Sequence, residues 1–238
     1  MLGHADARYG LCEKCRTAFG IALVIGRRCR YCGKPLITER ELCLSCRDDT
    51  WREKLAGGKE AAENAHRDGS YSEHIKRLRV LFPYAGKFKT VLGSFKFEKA
   101  TALGIFFARC LSLSLDALEP QALEKAAWVP VPPRPGKLKA HGWDQVEFLA
   151  KQLDKTGGFA QLPVMRCLKR LPSKSQKLLG REQRLANLKG RIRCVKKPPE
   201  TAILFDDVIT TGATLDACAA ALLEAGAKRV YAVCLFYR

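Results

Sequence analysis

The chain has 238 residues, which is room for one medium-sized domain and a small appendage. No apolar run approaches the roughly 18 residues of a membrane-spanning helix, and the first residues lack the apolar core of a signal peptide. We therefore expect a cytoplasmic protein without membrane insertion. The 42 lysines and arginines outnumber the 24 acidic residues, and the net charge of +18 favours a polyanionic partner.

Six of the cysteines form three Cys-x-x-Cys pairs near the start of the chain. Two such pairs can supply the four thiolates of a tetrahedral zinc site. The second and third pairs are the better candidates, and they predict a structural Zn²⁺ site formed by Cys29, Cys32, Cys43 and Cys46. The first pair, Cys12 and Cys15, has no partner pair, so it is a remnant, a metal site completed by another ligand such as His4, or free.

Composition divides the chain into three parts. Residues 1–52 are expected to form the zinc-binding cysteine-knuckle module, a small ribbon. Residues 53–72 are polar, carry Gly57-Gly58, and are interpreted as a linker with a short helix. Residues 73–238 carry the apolar patterns of a folded domain.

Strand-like and helix-like segments alternate in this third part. We predict strands at 80–84, 126–132, 162–168, 190–195, 201–205 and 229–236, and helices at 86–97, 99–115, 144–153 and from 215 onward. Such alternation is typical of an α/β domain with a mostly parallel sheet. Sites in such domains lie at the carboxyl ends of the strands.

A strongly basic segment lies between residues 166 and 197, where Glu182 is the only acid among twelve basic residues. We predict that residues 170–189 form a mobile loop with partial helix. A solvated basic face, a diphosphate-binding loop and a nucleic-acid-binding surface are all compatible with this composition.

The stretch from Ile203 to Leu215 combines several features of a sugar-phosphate site. Asp206 and Asp207 follow a short buried run, and carboxylates accept hydrogen bonds from a vicinal diol. A hydroxyl- and glycine-rich turn and a helix follow, and loop amides at a helix N-terminus favour an anion. The alternative is an acidic strand end followed by an ordinary helix cap at Thr211 or Thr214.

This stretch resembles the phosphoribosyl diphosphate (PRPP) signature of type I phosphoribosyltransferases. The resemblance implies that Asp206 and Asp207 hold the ribose hydroxyls. It also implies that the 5′-phosphate is surrounded by Thr210, Thr211, Gly212, Ala213 and Thr214. Mg²⁺ and basic side chains would stabilise the diphosphate. The candidate contacts are Arg134 and Lys137 in a loop after a predicted strand, and Lys177, Arg181 and Arg184 in the predicted mobile loop.

Four blocks together are similar to the ComF family, which is linked to DNA uptake in naturally competent bacteria. They are the cysteine knuckles, the segment from Phe82 to Phe97, the segment from Val129 to Ala150, and the segment from Ser175 to Gly190. The third block contains His141-Gly-Trp-Asp-Gln, where the family usually has Arg-Gly-Phe-Asn-Gln. The family also implies a helicase-like translocation ATPase, ComFA, as a partner.

The expected function is DNA uptake in natural transformation, with binding of single-stranded DNA and of PRPP through a phosphoribosyltransferase-like domain. The alternative is an active phosphoribosyltransferase that transfers the 5-phosphoribosyl group of PRPP to an unknown acceptor. The sequence leaves enzymatic activity open, because neither a nucleophile nor a segment that would stack a base is evident. The remaining cysteines are expected to be small buried apolar residues.

Overall fold

A computed structural model describes residues 11–24, 27–29, 34–36, 43, 72–118, 123–137, 142–156, 162–172 and 190–238. The main sheet consists of four parallel strands in the order β1-β6-β5-β2. Their bounds are β1 Arg77–Pro83, β2 Ala126–Pro130, β5 Thr201–Ile209 and β6 Arg229–Tyr237. The predicted α/β class with a mostly parallel sheet is thus confirmed.

The two central strands, β5 and β6, are covered on both faces. Residues 201–205 of β5 and 230–236 of β6 are all buried. A strand that is buried on both sides needs a continuous apolar run, and this explains why both strands were recognisable in the sequence.

A second, antiparallel sheet pairs β3, Leu168–Arg170, with β4, Ile192–Cys194. The strand predicted at 162–168 was wrong, because only Val164 forms a bridge to the edge of the main sheet there. Two hydrogen bonds form this bridge. The Trp128 N–H donates to the Pro163 carbonyl at 2.9 Å, and the Met165 N–H donates to the Trp128 carbonyl at 2.8 Å. Pro163 has no N–H to extend this ladder.

Five α-helices lie in the described ranges: α1 Glu13–Val24, α2 Gly86–Phe97, α3 Thr101–Leu113, α4 Gln145–Thr156 and α5 Ala213–Glu224. Helices α1 to α4 contribute to the core on one face of the sheet, whereas α5 and the β3–β4 sheet contribute to the core on the other. At Gly104 in α3 an added Cβ would overlap the Phe148 ring of α4, so these helices require a glycine at their contact. None of the helices in the described ranges has the length and apolarity needed to cross a membrane.

Helix α1 packs directly on the main domain. Phe19 is fully buried, with its ring centroid 4.6 Å from that of Phe82 and 5.4 Å from that of Phe106. Arg28 donates to the carbonyls of Ala22 and Val80 at 2.9 and 2.6 Å, which ties the segment after α1 to β1. The predicted boundaries at residues 52 and 72 stay predictions, since residues 44–71 lie outside the described ranges.

Candidate functional site

The acidic pair lies within β5 rather than after it. The predicted strand ended at Phe205, but the ladder to β6 continues through Asp206–Cys234, Val208–Phe236 and Ile209–Tyr237. On the other side, β2 pairs with β5 only as far as Phe205. The last four residues of β5 therefore have a neighbouring strand on one side only, and both acids lie at the open carboxyl edge of the sheet.

Asp206 is held where ionisation is unfavourable. Burial raises the pKa of its carboxyl group well above the usual range, and the negative charge of Asp207 raises it further. The Asp207 N–H donates to Asp206 Oδ1 at 2.8 Å, which opposes this effect. The two adjacent carboxyl groups present several acceptor oxygens, and these can take hydrogen bonds from the hydroxyls of a vicinal diol.

Asp207 has a basic partner that was not predicted as a site residue. Lys96 Nζ, in the last turn of α2, lies 2.8 Å from Asp207 Oδ2, and the two side chains are only 22% and 13% exposed. The positive charge of Lys96 lowers the pKa of Asp206 and so opposes part of the effect of burial. The only sequence signal was the position of this lysine between Phe95 and Phe97, which gives no indication of a contact with β5.

Two arginines add positive charge near the acidic pair, since Asp206 lies close enough to Arg170 to act on its charge and Arg134 lies close enough to Arg170 to do the same. Arg134 is exposed in the loop after β2, as predicted, and Arg170 is half-buried at the end of β3. Burial lowers the pKa of Arg170 and the nearby charge of Arg134 lowers it further, whereas Asp206 raises it. Within the described ranges neither arginine forms an ion pair, and two adjacent guanidinium groups of this kind favour a polyanion.

The turn from Thr210 to Thr214 leads directly into α5. Gly212 is the N-cap residue with a φ of 77°, a left-handed conformation that glycine adopts without strain. It has no side chain to cap the helix, so the N–H groups of the first turn are left for solvent or for an anion. Thr211 Oγ1 accepts only a long hydrogen bond, 3.4 Å, from the Ala213 N–H. The predicted alternative, in which Thr211 or Thr214 is the N-cap residue, was wrong.

Lys137 anchors its loop. Its Nζ lies 2.6 Å from Asp144 Oδ2 and 2.6 Å from Gln145 Oε1, and the Asp144 side chain is 1% exposed. Asp144 Oδ1 also accepts from the Glu147 N–H at 2.8 Å at the start of α4. The change from the family's Asn to Asp144 thus has a local explanation, because the buried carboxylate is neutralised by Lys137.

The predicted zinc ligands are only partly described. Cys29 and Cys43 are both buried and belong to one apolar cluster with Leu36. The Cys29 N–H donates to the Lys34 carbonyl at 2.8 Å, and the Leu36 N–H donates to the Arg27 carbonyl at 2.9 Å. Cys32 and Cys46 lie outside the described residues, and among the described ones no three His, Cys, Asp or Glu side chains form a metal-binding group.

The other predicted site residues are resolved to different extents. Cys12 is exposed and Cys15 half-buried at the start of α1, and the backbone and thiol of Cys15 lower the pKa of Cys12. Lys177, Arg181 and Arg184 lie outside the described residues. Four of the five cysteines expected to be buried are buried, namely Cys110, Cys167, Cys218 and Cys234. The fifth, Cys194, is half-exposed.

Comparison with known proteins supports one resemblance. No family model matches the chain. Competence protein ComFC of Bacillus subtilis (strain 168) is 26% identical over 216 residues, which are 91% of this chain and 79% of that protein. Competence protein ComFC of Streptococcus pneumoniae (strain ATCC BAA-255 / R6) is 29% identical over 153 residues, 64% of this chain and 64% of that protein. These similarities confirm the resemblance to the ComF family.

The two acids are expected to have opposite effects on stability. Because the pKa of Asp206 is raised, the folded state is penalised once the pH exceeds the unfolded value near 3.9. We expect Asp206→Asn to stabilise the protein at pH 8 by about 1 kcal/mol, or about 2–4 °C in Tm, and to have little effect at pH 4. Asp207→Asn should instead destabilise it by about 1–3 kcal/mol, because Lys96 loses its partner. Thermal unfolding at both pH values measures this, and a stability loss in Asp206→Asn at pH 8 would contradict it.

The contact between His74 and Asp216, in the first turn of α5, predicts a second pH dependence of the free energy of unfolding. His74 Nδ1 lies 3.1 Å from Asp216 Oδ1, and this hydrogen bond raises the pKa of His74. Charged His74 stabilises the folded state. This stabilisation is fully present below the pKa of His74 in the unfolded chain, near 6.5, and is lost as the pH rises through the raised pKa in the folded state. His74→Ala should therefore cost about 1 kcal/mol more at pH 6 than at pH 9 in urea unfolding. Asp216→Asn should remove the same pH dependence, and equal costs at both pH values would exclude the pair as its source.

Proposed function

We propose that the chain is a competence protein for DNA uptake in natural transformation, which binds single-stranded DNA and a 5-phosphoribosyl ligand such as PRPP. The observation that supports the ligand is the acidic pair at the open edge of β5, with Arg170 near Asp206 and Arg134 near Arg170. Within the described ranges neither arginine forms an ion pair, and the N-cap residue of the following helix, Gly212, makes no side-chain cap. The two ComFC relatives support the biological role.

Each part of PRPP has a chemically suitable partner in this arrangement. The ribose 2′- and 3′-hydroxyls suit Asp206 and Asp207, because carboxyl oxygens accept hydrogen bonds from a vicinal diol. The 5′-phosphate suits the amides from Gly212 to Thr214. The diphosphate suits Arg134 and Arg170, and Lys177, Arg181 and Arg184 would add charge from the predicted loop.

Zn²⁺ and Mg²⁺ fit the side chains proposed for them to different extents. Zn²⁺ suits the knuckles by ligand chemistry, since Cys29 and Cys43 are both buried and their pair mates, Cys32 and Cys46, would complete four thiolates. Mg²⁺ does not fit Asp207 as it stands, because the ammonium group of Lys96 already pairs with that carboxylate. The proposed binding therefore includes no step that depends on Mg²⁺.

Single-stranded DNA is proposed as the second ligand on the basis of charge. The net charge of +18 and the basic segment around β3 and β4 suit a phosphate backbone. The ribose-binding acids would contribute little to DNA, which lacks the 2′-hydroxyl. A ComFA-type translocase is the proposed protein partner.

The two binding activities are expected to separate in one variant. Asp206→Ala combined with Asp207→Ala should abolish PRPP binding in calorimetric titration, because both diol partners are removed. Binding of a single-stranded oligonucleotide should change less than about twofold and should weaken steeply with salt. DNA binding without a salt slope would contradict the DNA proposal, and unchanged PRPP binding would contradict the site.

An active phosphoribosyltransferase is the second candidate, and the two arginines favour it. Adjacent guanidinium groups stabilise the charge of a departing diphosphate better than that of a ground-state ligand. If the chain is an enzyme, Arg170→Met should lower diphosphate release from PRPP by about 100-fold or more. A coupled diphosphate assay over a panel of bases measures this, with Arg166→Met as control because Arg166 pairs with Glu147 and Asp154 away from the site. If no base in the panel gives release of diphosphate from PRPP, the enzyme proposal fails and only the binding proposal stands.

A further inference from the structure

Two free cysteines lie side by side where the small β3–β4 sheet begins and ends. Leu168 is the Cα partner of Cys194 in this sheet, and the Val195 N–H donates to the Cys167 carbonyl at 2.7 Å. Cys167 and Cys194 are therefore offset by one residue on neighbouring segments. Both are free thiols, and the proposed phosphoribosyl and zinc contacts use neither of them.

The backbone separation of the two cysteines suits a disulfide. Directly opposite residues of antiparallel strands have Cα atoms about 4.5–5.5 Å apart, and one residue along a strand adds a displacement of about 3.4 Å. The Cα atoms of Cys167 and Cys194 are thus about 6 Å apart, within the range of roughly 4.4–6.8 Å that disulfides span. The two strands do not have to separate or slide for the sulfur atoms to be joined.

The two side chains also share one apolar cluster. Strict alternation along paired strands would place them on opposite faces, but Cys167 precedes the first regular residue of β3. Its side chain is 1% exposed and belongs to the cluster against which Cys194 packs. The pKa of the Cys167 thiol is raised to about 12 by burial, by the nearby charge of Cys194 and by a hydrogen bond between the two thiols. The sulfur atoms therefore lie within hydrogen-bond reach of each other.

The two thiols differ in their access to solvent. Cys194 is half-exposed, and its Sγ donates to the Lys196 carbonyl at 3.0 Å. Exposed basic residues surround it in the sequence, namely Arg193, Lys196 and Lys197. Cysteines that react with oxidants occupy such electropositive, partly exposed positions. Cys167 is buried and protonated, so the pair combines an accessible thiol with a protected second thiol.

We propose that Cys167 and Cys194 form a reversible redox site for peroxides, in which Cys194 reacts first and Cys167 then converts it into a disulfide. The Cys194 thiolate attacks one oxygen of hydrogen peroxide and the O–O bond breaks. A sulfenic acid forms, and the departing hydroxide takes up the thiol proton as water. The Cys167 sulfur next displaces the sulfenic hydroxyl group, which leaves with the Cys167 proton as a second water. The two thiols thus lose two electrons and two protons, and a dithiol reductant reverses the change by exchange.

The first experiment identifies the bond. The full chain is treated with an equimolar amount of hydrogen peroxide, free thiols are alkylated, and disulfide-linked peptides are identified by mass spectrometry. A peptide that joins Cys167 to Cys194 should form and should disappear after treatment with dithiothreitol. The competing partner is Cys218 in α5, which lies close enough to Cys167 for their charges to interact. A link from either cysteine to Cys218, or a Cys194 that stays open to alkylation, would overturn the proposal.

Single variants separate the two steps of the reaction. In Cys167→Ala the oxidation should stop at the Cys194 sulfenic acid, which dimedone traps. In Cys194→Ser the Cys167 thiol should remain reduced, because it is buried. Cys110→Ala is the control, since Cys110 is equally buried but lies in α3, and it should form the disulfide as the wild type does. Equal trapping by dimedone in the wild type and in Cys167→Ala would refute the role of Cys167.

Thermal unfolding gives an independent measurement. The oxidised wild type should have a Tm about 5–10 °C above that of the reduced form, because the disulfide restricts the unfolded chain between the two cysteines. Dithiothreitol should restore the lower Tm. Neither Cys167→Ala nor Cys194→Ser should show a shift on oxidation. An equal shift in these variants would assign the stabilising disulfide to other cysteines and would exclude this pair as its source.

Discussion

The candidate site depends on a difference in length between two neighbouring strands. Strand β5 continues for four residues beyond its last pairing with β2, and only β6 accompanies it there. Where the backbone of β5 loses one neighbour, its side chains become accessible, and Asp206 and Asp207 lie there. The loop after β2 leaves the sheet at the same level, since the Val131 N–H donates to the Phe205 carbonyl at 3.1 Å, and Arg134 follows in this loop.

The charges around this edge are not fully compensated within the described ranges. Lys96 pairs with Asp207, whereas Asp206 is half-buried with a raised pKa, and Arg134 and Arg170 form no ion pair there. Other charged groups in the described ranges do have partners, as Lys137 with Asp144 and Arg166 with Glu147. Unfavourable electrostatics concentrated in one place is a common consequence of selection for binding over stability.

Sequence patterns predicted some of these features for physical reasons and missed others. Strands β5 and β6 were recognisable because burial on both faces demands a continuous apolar run. The strand predicted at 162–168 does not form, because Pro163 has no N–H to donate to a neighbouring strand. A pattern of apolar residues does not show this loss. The acidic pair was found because its chemistry is local, within a single strand and turn.

The contacts of Lys96, Arg170 and Lys137 could not be predicted in the same way. Each joins residues from different elements, and their pairing depends on how α2, β3 and the loop after β2 meet the edge of β5. Lys137 was predicted as a diphosphate contact from its place in a basic loop, and the structure shows that it also pairs with a buried carboxylate, Asp144. Charge count alone does not distinguish a lysine that neutralises the protein from one that is available to a ligand.

Helix α2 connects the acidic pair to a distant part of the chain. The helix follows β1 closely, and Lys96 in its last turn reaches Asp207 on β5, which lies two strands away from β1 in the sheet. The buried residues Leu92 and Phe95 fix the helix to the core, so the position of the ammonium group depends on core packing. Because α2 packs on one face of the sheet and α5 on the other, the acidic pair has a cation on one side and the start of a helix on the other. The charge of the candidate site is therefore set by elements that are far apart in the sequence, and not by β5 alone.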